Sequence, residues 1–230
     1  MREFNALVGY PESAHPRLVG PEARTIRNRI IASYRGKELY DGDRNNGYGG
    51  LTDDGRWRPI AAFMAQEYGL HERSAILQVN CEKGFLLYEF QQRIPGMKVW
   101  GVEISDYAID HATPSVRPWI VKAPFTRLPF ADHAFDFVIA LGVVYALTLA
   151  DAIACLKEIQ RVGRGKSFIT LASYDTPEDK RLFEWWTLLG TLLLRKEECI
   201  EVLEHAGYTG DYKFTSAKAL NLVPHDEQRT

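Results

Sequence analysis

The side chains best placed for chemistry begin in Gln78-Val79-Asn80-Cys81-Glu82-Lys83-Gly84, which follows the apolar run Ala75-Ile76-Leu77. Nineteen residues after Gly84 stands Glu103, at the end of Lys98-Val99-Trp100-Gly101-Val102-Glu103. A carboxylate is an acceptor-only fork, so a group at that position can take both hydroxyls of a ribose. Tyr145, in Gly142-Val143-Val144-Tyr145, lies just past another apolar run. It can orient a ligand, move a proton, or pack with its hydroxyl at a rim. Tyr48 and Trp57 can close over a ligand or pack the N-terminal segment onto the rest of the chain. Arg44 and Arg56 carry forks that suit a carboxylate or phosphate, and equally an ordinary ion pair. His111 and His133 have no second ligand at metal spacing, so no metal site is expected. No Ser-His-Asp set can be argued from order alone.

These residues need elements to hold them. Pro59 suits the first turn of a helix whose apolar positions Ile60, Phe63, Met64 and Tyr68 end at Gly69. Ala75 to Val79 reads as a buried strand, Gly84 to Arg93 as a helix, and Lys98 to Glu103 as a second strand. Ser105 can cap a helix through His111. Trp119 to Val121 and Phe135 to Leu141 read as further strands, Leu149 to Val162 as a helix, and Ser167 to Ala172 as a fifth strand. Helices are expected over about 178–190 and 196–206, the latter closed by Gly207. Asp211 to Val223 is strand material with a bend near Ser216 to Lys218. Strands alternating with helices imply right-handed crossovers and a mostly parallel sheet covered on both faces. Ligands of such sheets bind beyond the strands' carboxyl ends, where strand order reverses. That directs attention to the loops after Val79, Val102, Val121 and Leu141.

The chain has 230 residues, with 28 Lys+Arg against 30 Asp+Glu and a net charge of −2. This balance argues against a nucleic-acid partner, which calls for a basic excess. Arg24, Arg27 and Arg29 form a local cluster, read as a solvated face or a local anion contact. No apolar run reaches the roughly 20 residues of a membrane span, and Met1 to Asn5 lacks the apolar block of a signal peptide. Cys81, Cys155 and Cys199 are few, odd in number and far apart. They suggest neither a disulfide framework nor zinc, and fit a reducing, cytoplasmic setting. Residues 1–58, rich in Arg, Gly, Asn and Tyr, are expected to form a cover on a domain spanning 59–230. Trp185-Trp186, Leu188-Leu189 and Leu192 to Leu194 make a run apolar nearly all round. Such a run is core first, and otherwise a homodimer or partner surface or an apolar substrate pocket.

Between about 74 and 175 this layout resembles the class I S-adenosylmethionine-dependent methyltransferases. In that family the first loop reads Asp/Glu-x-Gly-x-Gly-x-Gly, and an acidic residue ends the second strand. Leu77 to Leu87 occupies the loop frame here, and Trp100-Gly101-Val102-Glu103-Ile104-Ser105 matches the ribose position. Leu128-Pro129-Phe130-Ala131-Asp132-His133-Ala134-Phe135-Asp136 resembles the linker into the fourth strand. Tyr40 to Trp57 and Gly207 to Tyr212 resemble the cover and C-terminal segment of some bacterial members. The departures are specific. Gln78 stands where an acidic residue is usual, Asn80 and Glu82 where glycines are usual, and Pro124-Phe125 where Asp-Ala is frequent. Proline supplies no adenine acceptor, although Phe125 can stack on an adenine face.

The resemblance implies a Rossmann-like, seven-stranded, mostly parallel α/β fold with helices on both faces. It implies S-adenosylmethionine as cofactor, with Gln78, Asn80 and Gly84 near its methionine end, Glu103 and Ile104 on the ribose, and Phe125 by the adenine. Leu141 ends the fourth strand beside it, and Tyr48 and Tyr145 face the reacting centre. The expected acceptor is a small molecule, such as a hydroxyl of a sugar or secondary metabolite. Glu82 places a negative charge near the methionine carboxylate, while that charge suits a sulfonium. Each lost charged hydrogen bond costs about 1.5–3 kcal/mol, so two would weaken a micromolar site by about two to four decades. A second reading therefore stands beside the first: a methyltransferase-like protein that serves as a non-catalytic partner or performs different chemistry.

Overall fold

The computed structural model describes residues 1–11, 13 and 15–225. The N-terminal segment contains β1 (Arg2–Glu3), β2 (Arg17–Val19), α1 (Ile26–Ser33) and α2 (Lys37–Tyr40). Then come α3 (Trp57–Glu67), β3 (Ala75–Val79), α4 (Phe85–Arg93), β4 (Lys98–Glu103), α5 (Asp106–Asp110) and β5 (Ile120–Lys122). The rest is β6 (Phe137–Ala140), α6 (Leu149–Val162), β7 (Ser167–Tyr174), α7 (Pro177–Trp186), β8 (Leu194–Arg195), α8 (Lys196–Ala206), β9 (Asp211–Thr215) and β10 (Leu222–Pro224).

The main sheet runs β1-β9-β7-β6-β3-β4-β5, with β8 also paired to β7. Every neighbouring pair is parallel. Parallel strands covered on both faces bury both sides, which is why β6 is apolar at all four positions. Side chains alternate between faces. Phe137 and Ile139 join Ile60, Met64, Leu87 and Phe90 under α3 and α4. Val138 and Ala140 join Leu156, Ile159 and Leu203 under α6 and α8. From β3, order proceeds outward through β4 and β5 on one side and through β6 and β7 on the other. The loops after β3 and β6 therefore open a crevice at the reversal.

The α/β expectation is met, with differences at element ends. β6 begins at Phe137 because the Asp136 carboxylate accepts the Ala75 amide at 2.8 Å, and Phe135 makes only an isolated bridge to Gly163. Trp119 closes a 3-10 turn rather than opening a strand. The helix expected to reach residue 190 stops at Trp186. There the Thr187 hydroxyl accepts from Gly190 at 2.8 Å. Arg24 donates to the Trp186 carbonyl and Arg29 to those of Thr187 and Glu184. Those arginines, expected on a solvated face or at an anion, thus occupy the negative end of a helix.

The apolar run from Trp185 is half-buried against the rest of the chain. Trp185 and Trp186 pack against Val19 and Leu222, and Leu188 and Leu189 against Leu39 and Tyr40. Leu192 and Leu194 pack on the α6–α8 core. The C-terminal strand material splits. β9 stays in the main sheet, while β10 pairs in parallel with β2 outside it.

The N-terminal residues also enter the body of the fold. β1 extends the sheet beside β9, and Phe4, Ala6 and Leu7 join the core under α3. Residues 34–51 lie across the loop after β3.

Candidate functional site

The loop after β3 alternates in handedness. Asn80, Glu82 and Gly84 hold φ of 59°, 53° and 76°. These are the positions usually given to glycine, and the left-handed region costs an ordinary residue roughly 1–2 kcal/mol. The chain nevertheless adopts it. Gly84 alone has no alternative, because a Cβ there would lie 2.6 Å from Val116 Cγ2. Beneath the loop, Cys81 packs so closely that a Cβ on Gly101 would meet its Sγ at 2.5 Å. Burial, with Glu103 and Glu82 nearby, pushes that thiol well above its usual range, making it a packing residue.

Glu103 is fully buried. Its Oε1 accepts the amides of Ile104 at 2.8 Å and Ser105 at 3.0 Å, and its Oε2 accepts that of Glu82 at 2.9 Å. The fork thus ties the β3 and β4 loops together. A carboxylate has about four acceptor positions, so it can take a further hydroxyl once its covering moves. Gln78 is 5% exposed, and its Oε1 is a buried acceptor without a partner. Such an atom suits an ammonium or hydroxyl donor. Asn80 accepts from Arg35 Nη1 at 3.2 Å and donates to the Leu141 carbonyl at 3.4 Å, joining the loops on both sides of the order reversal.

The covering segment is locked onto this loop. Lys83 Nζ sits 2.7 Å from both Asp41 oxygens and 2.9 Å from the Leu51 carbonyl. Tyr107 donates to Asp41 at 2.8 Å. Burial alone would raise the Asp41 carboxyl, but its bonds from Lys83 and Tyr107 hold it below the usual range. Tyr40 is buried between the rings of Tyr48 at 5.9 Å and Tyr107 at 6.1 Å. The strand-like approach of Tyr48 N to Leu39 O, at 2.8 Å, leaves no room for a side chain on Gly47. Ser105 Oγ donates to the Arg35 carbonyl at 2.5 Å.

Glu82 reaches from the loop to the cover, where its carboxylate accepts the Tyr48 hydroxyl. Burial pushes Glu82 up to about 7. Tyr48 works against that rise, Glu103 adds to it, and Arg35 and Lys83 oppose it. Burial, followed by the Glu82 charge, pushes Tyr48 well above the usual phenol range and Tyr145 to about 12. Tyr145 lies past β6, on the far side of the crevice, with its ring edge against Phe183. A carboxyl pushed up to about 7, two phenols and one guanidinium thus lie within electrostatic reach of one another.

Gln78, Asn80, Gly84, Glu103, Ile104 and Leu141 surround the loop, with Tyr48 and Tyr145 at its mouth. Phe125 is 3% exposed and packs in the core with Val79 and Val102. Trp57 lies against Tyr10 and packs on the core under α3 and α4. Arg56 pairs with Asp54, and Arg44 donates to the Gly47 carbonyl. His111 stacks on Tyr107, and His133 faces the Gly163 carbonyl. Among the described residues no cluster of His, Cys, Asp or Glu could hold a metal. Sequence reasoning missed Lys83, Asp41 and Arg35. Their pairings join distant segments and leave no periodic trace.

Residues 77–171 match the family model described as a methyltransferase domain. No curated protein matches the chain. A Bacillus halodurans structure described as a methyltransferase aligns with TM-score 0.53 and 16% identity, over 64% of this chain and 68% of its own. The YcgJ protein of Bacillus subtilis aligns with TM-score 0.53 and 14% identity, over 64% and 66%. The [4+2]-cyclase SpnF aligns with TM-score 0.52 and 15% identity, over 88% of this chain and 66% of its own. At such identities the likeness is one of fold.

Proposed function

We propose that this chain is a class I S-adenosylmethionine-dependent methyltransferase, binding S-adenosylmethionine at the β3 loop and methylating a hydroxyl of a small molecule. The observation that carries this reading is the run of left-handed residues at 80, 82 and 84. The loop keeps a glycine-type backbone although two of the glycines are replaced. The residues present fit the cofactor in three respects. Gln78 Oε1 is a buried acceptor awaiting a donor, which the methionine ammonium would provide. Glu103 and the Ile104 backbone remain the ribose edge. Gly84 keeps the helix start free of a side chain.

When bound, the cofactor supplies an activated methyl group. The chain's own task is to align the acceptor oxygen and exclude water. Tyr48 and Tyr145 would orient the acceptor, while Phe125 would act from within the core as the floor of the adenine region. The net charge of −2 favours a small acceptor over nucleic acid.

Calorimetry with S-adenosylmethionine and S-adenosylhomocysteine tests this. Binding between the micromolar and millimolar ranges is expected, weakened about tenfold or more in Glu103→Gln by the loss of a charged hydrogen-bond acceptor. A melt of the variant checks that its three backbone amides still find a partner. Absence of binding to millimolar ligand would sink the reading.

A second reading is favoured by one specific observation. Three amides already occupy most of the Glu103 fork, under a cover that Lys83 and Asp41 clamp shut. A protein built this way could use the fold without methyl transfer, as a partner or for other chemistry. A solved structure named as a [4+2]-cyclase shares the fold. Failure of both ligands to bind would support it.

A further inference from the structure

The crevice carries an uneven charge. Lys83 is neutralised by Asp41 at 2.7 Å, and Glu103 is held by backbone amides. What remains free to act on a ligand is Glu82, opposed by Arg35, whose guanidinium is engaged with Asn80. Glu82 is not pointed away into solvent. Its left-handed backbone aims the side chain at the cover, where Tyr48 holds one carboxylate oxygen. From there its charge reaches Tyr145 across the crevice. A glycine at this position would place no charge at all in that space.

We propose that Glu82 is a specificity residue by which the crevice prefers a sulfonium ligand over the corresponding neutral thioether. This rests on the cofactor reading above. Methyl transfer moves a methyl group from sulfur to the acceptor oxygen. The C–S pair stays on sulfur, the C–O bond forms, and the hydroxyl proton leaves to a base. The sulfur thereby loses its positive charge. An ionised Glu82 attracts the ligand before that change and no longer does so after it, so the spent thioether is released more readily. The groups facing Glu82 are Tyr48 and Tyr40 from the cover, Arg35 after α1, Cys81 and Lys83 in its own loop, Glu103 from β4, and Tyr145 after β6. Burial pushes the tyrosines and Cys81 above their usual ranges, so they stay protonated, and it pushes Glu82 up to about 7.

The experiment is calorimetric and needs no acceptor. Affinities of S-adenosylmethionine and S-adenosylhomocysteine are measured at pH 6, 7 and 8 for the unmodified chain, Glu82→Gln and Tyr48→Phe. The ratio favouring the sulfonium is expected to rise by about tenfold from pH 6 to pH 8 relative to Glu82→Gln, the size of one pKa unit of charge interaction. Gln keeps the acceptor for Tyr48, so folding is preserved. Tyr48→Phe keeps the charge but loses the bond that favours it, so the rise should persist with its midpoint at higher pH. Binding of both ligands with a ratio indifferent to Glu82 at every pH overturns the inference and leaves the cofactor reading intact. Binding of neither ligand overturns both.

Discussion

Asn80 and Glu82 hold left-handed backbone that L-residues resist, and each is tied there by two hydrogen bonds. Asn80 bridges Arg35 and the Leu141 carbonyl, while the Glu82 amide donates to Glu103 and its carboxylate accepts the Tyr48 hydroxyl. Gly84 differs in kind, because it is excluded from a side chain by both conformation and space. Gly84→Ala is therefore expected to lower unfolding free energy by about 2–5 kcal/mol, summing left-handed strain and overpacking against Val116. Gly55 has nearly the same φ, 78° against 76°, but nothing lies within 4 Å of its absent Cβ. Gly55→Ala should cost only about 1–2 kcal/mol. Urea denaturation of the two variants checks the difference, and equal losses would show that packing at Val116 contributes nothing.

At the scale of elements, the connection between α2 and the β3–α4 loop decides whether the crevice is open. Its centre is Lys83, nearly buried, on an Asp41 that is 24% exposed. Removing one partner of a buried pair costs about 3–5 kcal/mol. Asp41 can rehydrate, so Lys83→Met should cost less, about 2 kcal/mol. Its main effect should be local. The Leu51 amide bonds to Asp41 and to the Tyr40 carbonyl, so its hydrogen exchange should accelerate while β3, β6 and β7 amides keep their protection. Acid should reproduce this in the unmodified chain. The folded carboxyl of Asp41 lies below its unfolded value. Its contribution is complete above about pH 4 and is lost as pH falls through the folded value. Cover amides whose protection relative to intrinsic exchange does not fall as pH is lowered below about 4, while the core keeps its own, would contradict the latch.

Across the whole molecule, the longer strands and helices from Ala75 to Ala206 were legible because period and burial agree there, while the two-residue β8 was not. Buried parallel strands read as short apolar runs, and α6 shows its inward face at Ala152, Cys155, Leu156, Ile159 and Val162. The loop's place at the strand reversal was legible too. The cover's hold was not, since Lys83 and Asp41 stand 42 positions apart and neither belongs to a repeating pattern. The end of α7 was likewise hidden, set by arginines more than 150 positions away. Nor did residue type reveal that Glu82 holds its proton so tightly, and that has a consequence for the entire fold. A carboxyl raised from 4.5 to about 7 makes the folded chain bind more protons than the unfolded one between those values. By linkage, stability then falls as pH rises through that window, opposite to the behaviour of Asp41. Glu82→Gln removes this loss and keeps the Tyr48 bond. The variant should match the unmodified chain near pH 4.5 and exceed it at pH 8 by about 1–2 kcal/mol, allowing for partial solvent screening. For a chain of this size that is a few degrees in Tm. Thermal melts across the range test it, and a stability difference constant with pH would mean that Glu82 ionises like an ordinary surface carboxylate.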